Sequence, residues 1–233
     1  MTLTTGTLAL VGSGEYLPPM TLVDEELLRR LAAPAQVVCL PTGAGTEGEA
    51  RIQYWCDLGV QHFTRLGARA EAVKVIDRAS AEDERLSSKI RAANFVYLSG
   101  GKPAYLHNTL KGTRAWAAIE AVLAKGGVVA GCSAGAMIFG ERFPNYPVPW
   151  PWVSAFNYLP GVVIMPHFDE VPESFVAGLR LMLGKSVLVG IEGNTALVVD
   201  AQQRQVFGRG GVEVWKGANK TRYLHEQVVV WPK

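Results

Sequence analysis

Cysteine is scarce in this sequence, like charges form no blocks, and no apolar run is long. The three cysteines among 233 residues, Cys39, Cys56 and Cys132, lie far apart and form no CxxC or CxxH spacing. That excludes a zinc site or a redox pair and points to reduced thiols in a cytoplasmic protein. The 23 Lys and Arg are scattered against 21 Asp and Glu, for a net charge of only +2. Without a basic stripe to track a phosphate backbone, no nucleic-acid partner is expected. No apolar stretch reaches the roughly 18 residues of a membrane span, and Met1 to Val11 has no cationic start, so neither membrane insertion nor export is expected. Internal repeats, low-complexity tracts and linkers are also missing, so the reading is one domain over residues 1–233.

What is present is a rhythm of short apolar runs with helix-compatible segments between them. Thr7–Val11, Gln36–Leu40, Ala72–Ile76, Phe95–Leu98 and Gly127–Ala130 read as strands, each too short for a helix and most rich in Val or aromatics. Asp24–Ala32, Gly48–Leu58, Ala81–Ala92 and Thr113–Lys125 carry apolar residues at helical spacing, with Ser80 and Asp83 resembling a capping box for the third. Alternation of this kind predicts an α/β fold, a three-layer sandwich with a mostly parallel central sheet flanked by helices. From Phe143 to Tyr158 six aromatics are interleaved with Pro144, Pro147, Pro149 and Pro151, which predicts a loop. Strands at Gly161–Met165 and Val187–Ile191 follow, with a helix near Pro172–Leu183 between them. Ala196–Asp200, Gln205–Phe207, Gly211–Trp215 and Gln227–Trp231 then read as C-terminal β-hairpins.

The segment with the clearest chemistry is Gly131-Cys132-Ser133-Ala134-Gly135, placed between an apolar strand and a helix-compatible run. A strand, GxSxG and helix in that order is the context of a nucleophile elbow, in which small residues permit a sharp turn that presents the serine. The backbone N–H of Ala134 would then face a developing oxyanion. Cys132 reads as a packing residue. A serine needs a base, and of the four histidines only His167 follows directly on a strand end; His62 and His107 fall in or beside helices, and His225 in the terminal hairpins. Glu192, at the end of the next strand, is the candidate acid to orient it, with Asp169 and Glu170 as competitors. Gly100 and Gly101 close another strand and offer N–H groups for an oxyanion hole.

Gly131 to Ala136, Pro166-His167-Phe168 and Gly190-Ile191-Glu192-Gly193-Asn194, with Gly12-Ser13-Gly14 after the first strand, resemble the peptidase E and cyanophycinase family of serine peptidases. The resemblance implies a fold like that of class I glutamine amidotransferases and a triad of Ser133, His167 and Glu192 in that order. An α/β-hydrolase would place its acid before its histidine. It further implies cleavage of short peptides through an acyl-enzyme, without metal or organic cofactor. Positive side chains hold an aspartate in the family's aspartyl dipeptidases and cyanophycinases, whereas this chain has the acidic run Asp169-Glu170-Val171-Pro172-Glu173 in that region. Lys102 and Arg180 are the cations left to meet a substrate carboxylate, and Trp150 and Trp152 the aromatics for a pocket wall or, alternatively, a homodimer contact. A small-molecule amide or ester hydrolase and a non-catalytic binding member of the fold are the competing readings.

Overall fold

The computed structural model describes residues 5–144 and 152–231. In chain order its strands are β1 (Thr7–Val11), β2 (Gln36–Leu40), β3 (Arg69–Ala72), β4 (Phe95–Leu98), β5 (Val128–Cys132), β6 (Arg142–Pro144), β7 (Trp152–Ser154), β8 (Val162–Met165), β9 (Val187–Ile191), β10 (Thr195–Val199), β11 (Arg204–Gly208), β12 (Val212–Lys216) and β13 (Asn219–Tyr223). The α-helices are α1 (Thr21–Arg29), α2 (Glu49–Arg65), α3 (Arg78–Ala81), α4 (Glu84–Ala92), α5 (Pro103–Leu110), α6 (Arg114–Ala124), α7 (Ala134–Met137) and α8 (Glu173–Met182). No described helix is long and apolar enough to cross a membrane.

A seven-stranded sheet in the order β11-β10-β1-β5-β4-β2-β3 forms the centre, with β1, β5, β4, β2 and β3 parallel and β10 and β11 added antiparallel. Its inner strands are apolar at successive positions because both faces are covered. On β1, Ala9 and Val11 face a core shared with Val23 and Leu27 of α1 and Phe63 of α2. Leu8 and Leu10 face the opposite core, with Ile90 of α4 and Ile119 and Val122 of α6. Strand β5 lies between β1 and β4, so the ends of all three open on the same edge.

A second sheet, β13-β12-β9-β8, lends Ile164, Val189 and Val214 to the core that contains Leu8 and Leu10. Its other face packs Val163, Met165 and Leu188 against Val176 and Leu179 of α8.

Several sequence expectations shift. The third strand lies at Arg69–Ala72, and Val73 and Val75 continue beyond it as buried core. Its segment Arg-Ala-Glu-Ala is the edge of the sheet and alternates exposed with half-buried positions, which hid it beside the more apolar Ala72–Ile76. The expected helix Ala81–Ala92 begins at Glu84 as α4, and the short α3 at Arg78–Ala81 precedes it. Asp77, not Ser80 with Asp83, makes the capping box: its carboxylate accepts the Ser80 N–H, while the Ser80 hydroxyl accepts the Asp77 N–H. Asp83 caps α4 separately by accepting the Arg85 N–H. The terminal strand expected at Gln227–Trp231 is replaced by β13, with only a single bridge from Val228 to Gln205.

The aromatic segment is only partly a loop. Strands β6 and β7 pair antiparallel on either side of residues 145–151, which lie outside the described residues. Phe156 stacks on Trp116 of α6 with ring centroids 3.6 Å apart, and Phe143 and Tyr158 are buried in the same core. These rings therefore hold the hairpin to the body of the protein.

Candidate active site

The chain turns sharply after β5 at Ser133, whose φ of 52° and ψ of −112° lie outside the regions that side-chain-bearing residues favour. Such a conformation costs about 1–3 kcal/mol and persists only where its surroundings fix it. The Ser133 N–H donates to the Val11 carbonyl of β1 at 2.9 Å, and its own carbonyl accepts from the N–H groups of Ala136 and Met137. Glycine is required at 131 because a Cβ there would lie 2.3 Å from the Gly135 carbonyl oxygen. Cys132 and Ala134 on either side are buried while Ser133 is partly open. The helix that follows is a single turn, so its dipole is small. What it offers is local: the Ala134 N–H, and that of Gly101 nearby, make no hydrogen bond among the described residues.

His167 comes from the other sheet, two residues beyond β8, so the expected pair does not share one sheet edge. It sits in the left-handed region at φ 51°, ψ 35°. Two neighbours hold it there. The buried Phe168 ring fills the space over Gly190, where a Cβ would lie only 2.3 Å away. The Asp169 carboxylate accepts the Gly193 N–H at 2.7 Å.

The result is a distance of 3.1 Å from His167 Nε2 to Ser133 Oγ. For Nε2 to accept the serine proton, the ring hydrogen must be on Nδ1. Nδ1 faces Glu170 Oε1 at 3.4 Å, longer than the 2.7–3.2 Å of a well-formed N–H···O bond. The side chains of His167 and Glu170 are 40% and 66% exposed, so this contact is solvated and weak.

Glu192, expected as the orienting acid, is engaged elsewhere. Its Oε1 accepts from Arg222 Nε at 2.9 Å, and Oε2 accepts from Arg222 Nη2 and the Gly211 N–H, both at 2.8 Å. A carboxylate at a strand end needs donors, and the planar fork of Arg222 supplies two at once from β13. Nothing in the sequence near Arg222 marks it as that partner. Gly100 is also corrected as an oxyanion donor: its N–H is spent on Glu15 Oε1 at 3.0 Å. Glu15 Oε2 accepts the Cys132 thiol at 2.9 Å. Burial, and then the Glu15 charge, push the Cys132 thiol well above its ordinary range, which keeps it protonated and supports a packing role.

The proposed substrate-contacting residues separate. Lys102 is exposed, and its amine donates to Thr46 Oγ1 at 2.9 Å. Trp152 lies under the Arg142 guanidinium at 4.5 Å, and Trp150 is outside the described residues. Arg180 donates to the Gly217 carbonyl and lies 4.3 Å over the Trp215 ring. It lines a cleft of about 390 Å³ that begins at Phe168 and Asp169, next to His167. Four carboxylates, Asp169, Glu173, Glu192 and Glu213, line that cleft against two cations, Arg180 and Lys220.

Comparison with known proteins places the chain among peptidases. The chain is similar to a peptidase from an acI-B1 Actinobacterium, with 33% identity over 97% of both chains and a TM-score of 0.89. It shares its fold with a peptidase E protein described as putative from Listeria monocytogenes EGD-e, at 18% identity over 89% of this chain and 100% of that one, TM-score 0.65. No curated protein matches. The model of peptidase family S51 matches residues 8–207, nearly the whole span from β1 to β11. With that match covering both the serine elbow and the histidine turn, the chain belongs to peptidase family S51 and is a peptidase E-like serine peptidase.

Proposed function

We propose that this peptidase cleaves short peptides through an acyl-enzyme on Ser133, with His167 as the general base. The observation that carries the reading is the 3.1 Å approach of His167 Nε2 to Ser133 Oγ at a strained elbow. Ser133 Oγ attacks the scissile carbonyl carbon as its proton passes to His167 Nε2. The tetrahedral oxyanion is received by the N–H groups of Gly101 and Ala134. His167 then gives the proton to the leaving amine nitrogen, and the acyl ester remains on Ser133. Water, deprotonated by His167, hydrolyses that ester and restores the serine. Glu170 is the carboxylate at Nδ1, where it steadies the imidazolium while remaining in solvent.

The cleft beside His167 favours no acidic side chain, because its carboxylates outnumber its cations. We therefore assign the enzyme no preference for an N-terminal aspartate. Incubation with a fluorophosphonate followed by mass spectrometry should give one adduct, on Ser133. Dipeptides beginning with Asp, Glu, Ala or Leu should then be turned over with Asp not favoured. Absence of the Ser133 adduct would overturn the nucleophile assignment. Labelling without turnover of any dipeptide would move the activity to a small-molecule amide or ester.

A further inference from the structure

Glu15 has no part in the chemistry above, yet its side chain reaches both strand ends that flank the nucleophile. Only 7% of it is exposed, and among the described residues no salt bridge reaches it. Taking a carboxylate out of water without a counter-cation is costly unless strong hydrogen bonds replace the lost hydration. Glu15 accepts from the Gly100 N–H at the end of β4 and, from a weaker donor, the Cys132 thiol at the end of β5. Tyr16, the next residue, is fully buried at φ 64° and places its hydroxyl 3.0 Å from Ser99 Oγ. Two successive side chains after β1 thus grip two successive residues after β4. Gly100 is wedged in between: a Cβ built on it would lie 2.9 Å from Glu15 Oε1 and 3.4 Å from Ser133 Cβ.

We infer that Glu15 is a positioning residue for acylation, bridging the ends of β4 and β5 so that the peptide carrying the Gly101 N–H stays fixed against the Ser133 elbow. The inference rests on the reading of Ser133 and Gly101 given above. Without the bridge, the two-glycine turn is free to rotate its N–H away from the oxyanion, and transition-state binding is lost while ground-state binding is kept.

The test compares E15A and E15Q by kcat, KM and the rate of fluorophosphonate labelling, with thermal unfolding as the check on folding. E15A should lower kcat about 100-fold, the scale of losing one oxyanion donor, with KM within about threefold. E15Q should recover most of that loss, because its amide oxygen accepts from Gly100 and its amide nitrogen donates to the Cys132 sulfur. Should E15A not fold, Glu15→Met fills similar volume without either bond and carries the same expectation. Folded E15A or Glu15→Met with kcat within about threefold of wild type would overturn the inference, as would a rise in KM alone. E15Q falling as far as E15A would also overturn it, since charge and not position would then be acting. Failure of both apolar variants to fold while E15Q folds would assign Glu15 to the fold and overturn the catalytic role. Wild type that is not labelled at Ser133 would instead overturn the underlying nucleophile assignment.

Discussion

The two members of the proposed catalytic pair are held in different ways. Around Ser133 the neighbours are buried strand ends, and the fixing bonds are short ones to backbone or buried groups: Val11 to Ser133, Glu15 to Gly100 and to Cys132. Around His167 the ring is partly open, and among the described residues its one side-chain partner besides Ser133 is an exposed carboxylate at 3.4 Å. The serine side is thus rigid, and strain there is stored against packed strands. The histidine side takes its position from a backbone turn, through Phe168 and Asp169, more than from a hydrogen-bonded acid. That contrast ranks the residues by what their loss should cost.

The largest effect belongs to S133A, which should abolish fluorophosphonate labelling and lower kcat by about 10⁴ or more. Next comes G190A. Its methyl would collide with the Phe168 ring, so unfolding should show a loss of about 1–3 kcal/mol, and kcat should fall as His167 leaves its turn. The sharpest test of the contrast is E170Q beside E192Q. E170Q should lower kcat/KM by about three- to tenfold, as befits a solvated partner, and E192Q by less than that. A loss near 10⁴ in E192Q alone, the size seen when a buried triad acid is neutralised, would reverse the assignment and break the comparison. Iodoacetamide should leave labelling of Ser133 unchanged, because the neighbouring Cys132 thiol is buried and held protonated.

The smallest effect lies away from the site. Burial alone would raise the Asp200 carboxyl, but the N–H groups of Gln203 and Gln202 and the Arg30 guanidinium outweigh it and hold it below the ordinary value. A depressed carboxyl contributes stability above its unfolded value of about 3.9, and that contribution is lost as pH falls through the lower folded value. D200N should therefore cost under about 1 kcal/mol at neutral pH, with the difference from wild type shrinking in acid unfolding titrations.

Legibility in the sequence followed burial. Strands β1, β2, β4 and β9 are inner strands and mostly apolar, and the sequence places each at its observed bounds. Strand β13, Asn-Lys-Thr-Arg-Tyr, is polar and exposed and exists because it pairs with β12, so no local signal announces it. Helix α5 gives little local signal because it is eight residues long and opened by Pro103. Within the candidate site, the turn at Ser133 and the place of His167 beyond a strand are legible because glycine spacing and strand ends are local features. The partners of Glu192 and Gly100 were not, since they lie 30 and 85 residues away in the chain.

By itself, then, the sequence determined the α/β layering, the elbow at Ser133 and the strand-end turn at His167, because turn sterics and apolar periodicity act over a few residues. Only the tertiary structure decided which carboxylates act where. Arg222 takes Glu192, Glu170 is left at His167, and Glu15 is drawn to the Gly100 N–H and the Cys132 thiol. The physical reason is competition: a carboxylate goes to the strongest donors within reach, and which donors those are is settled only when distant strands have packed.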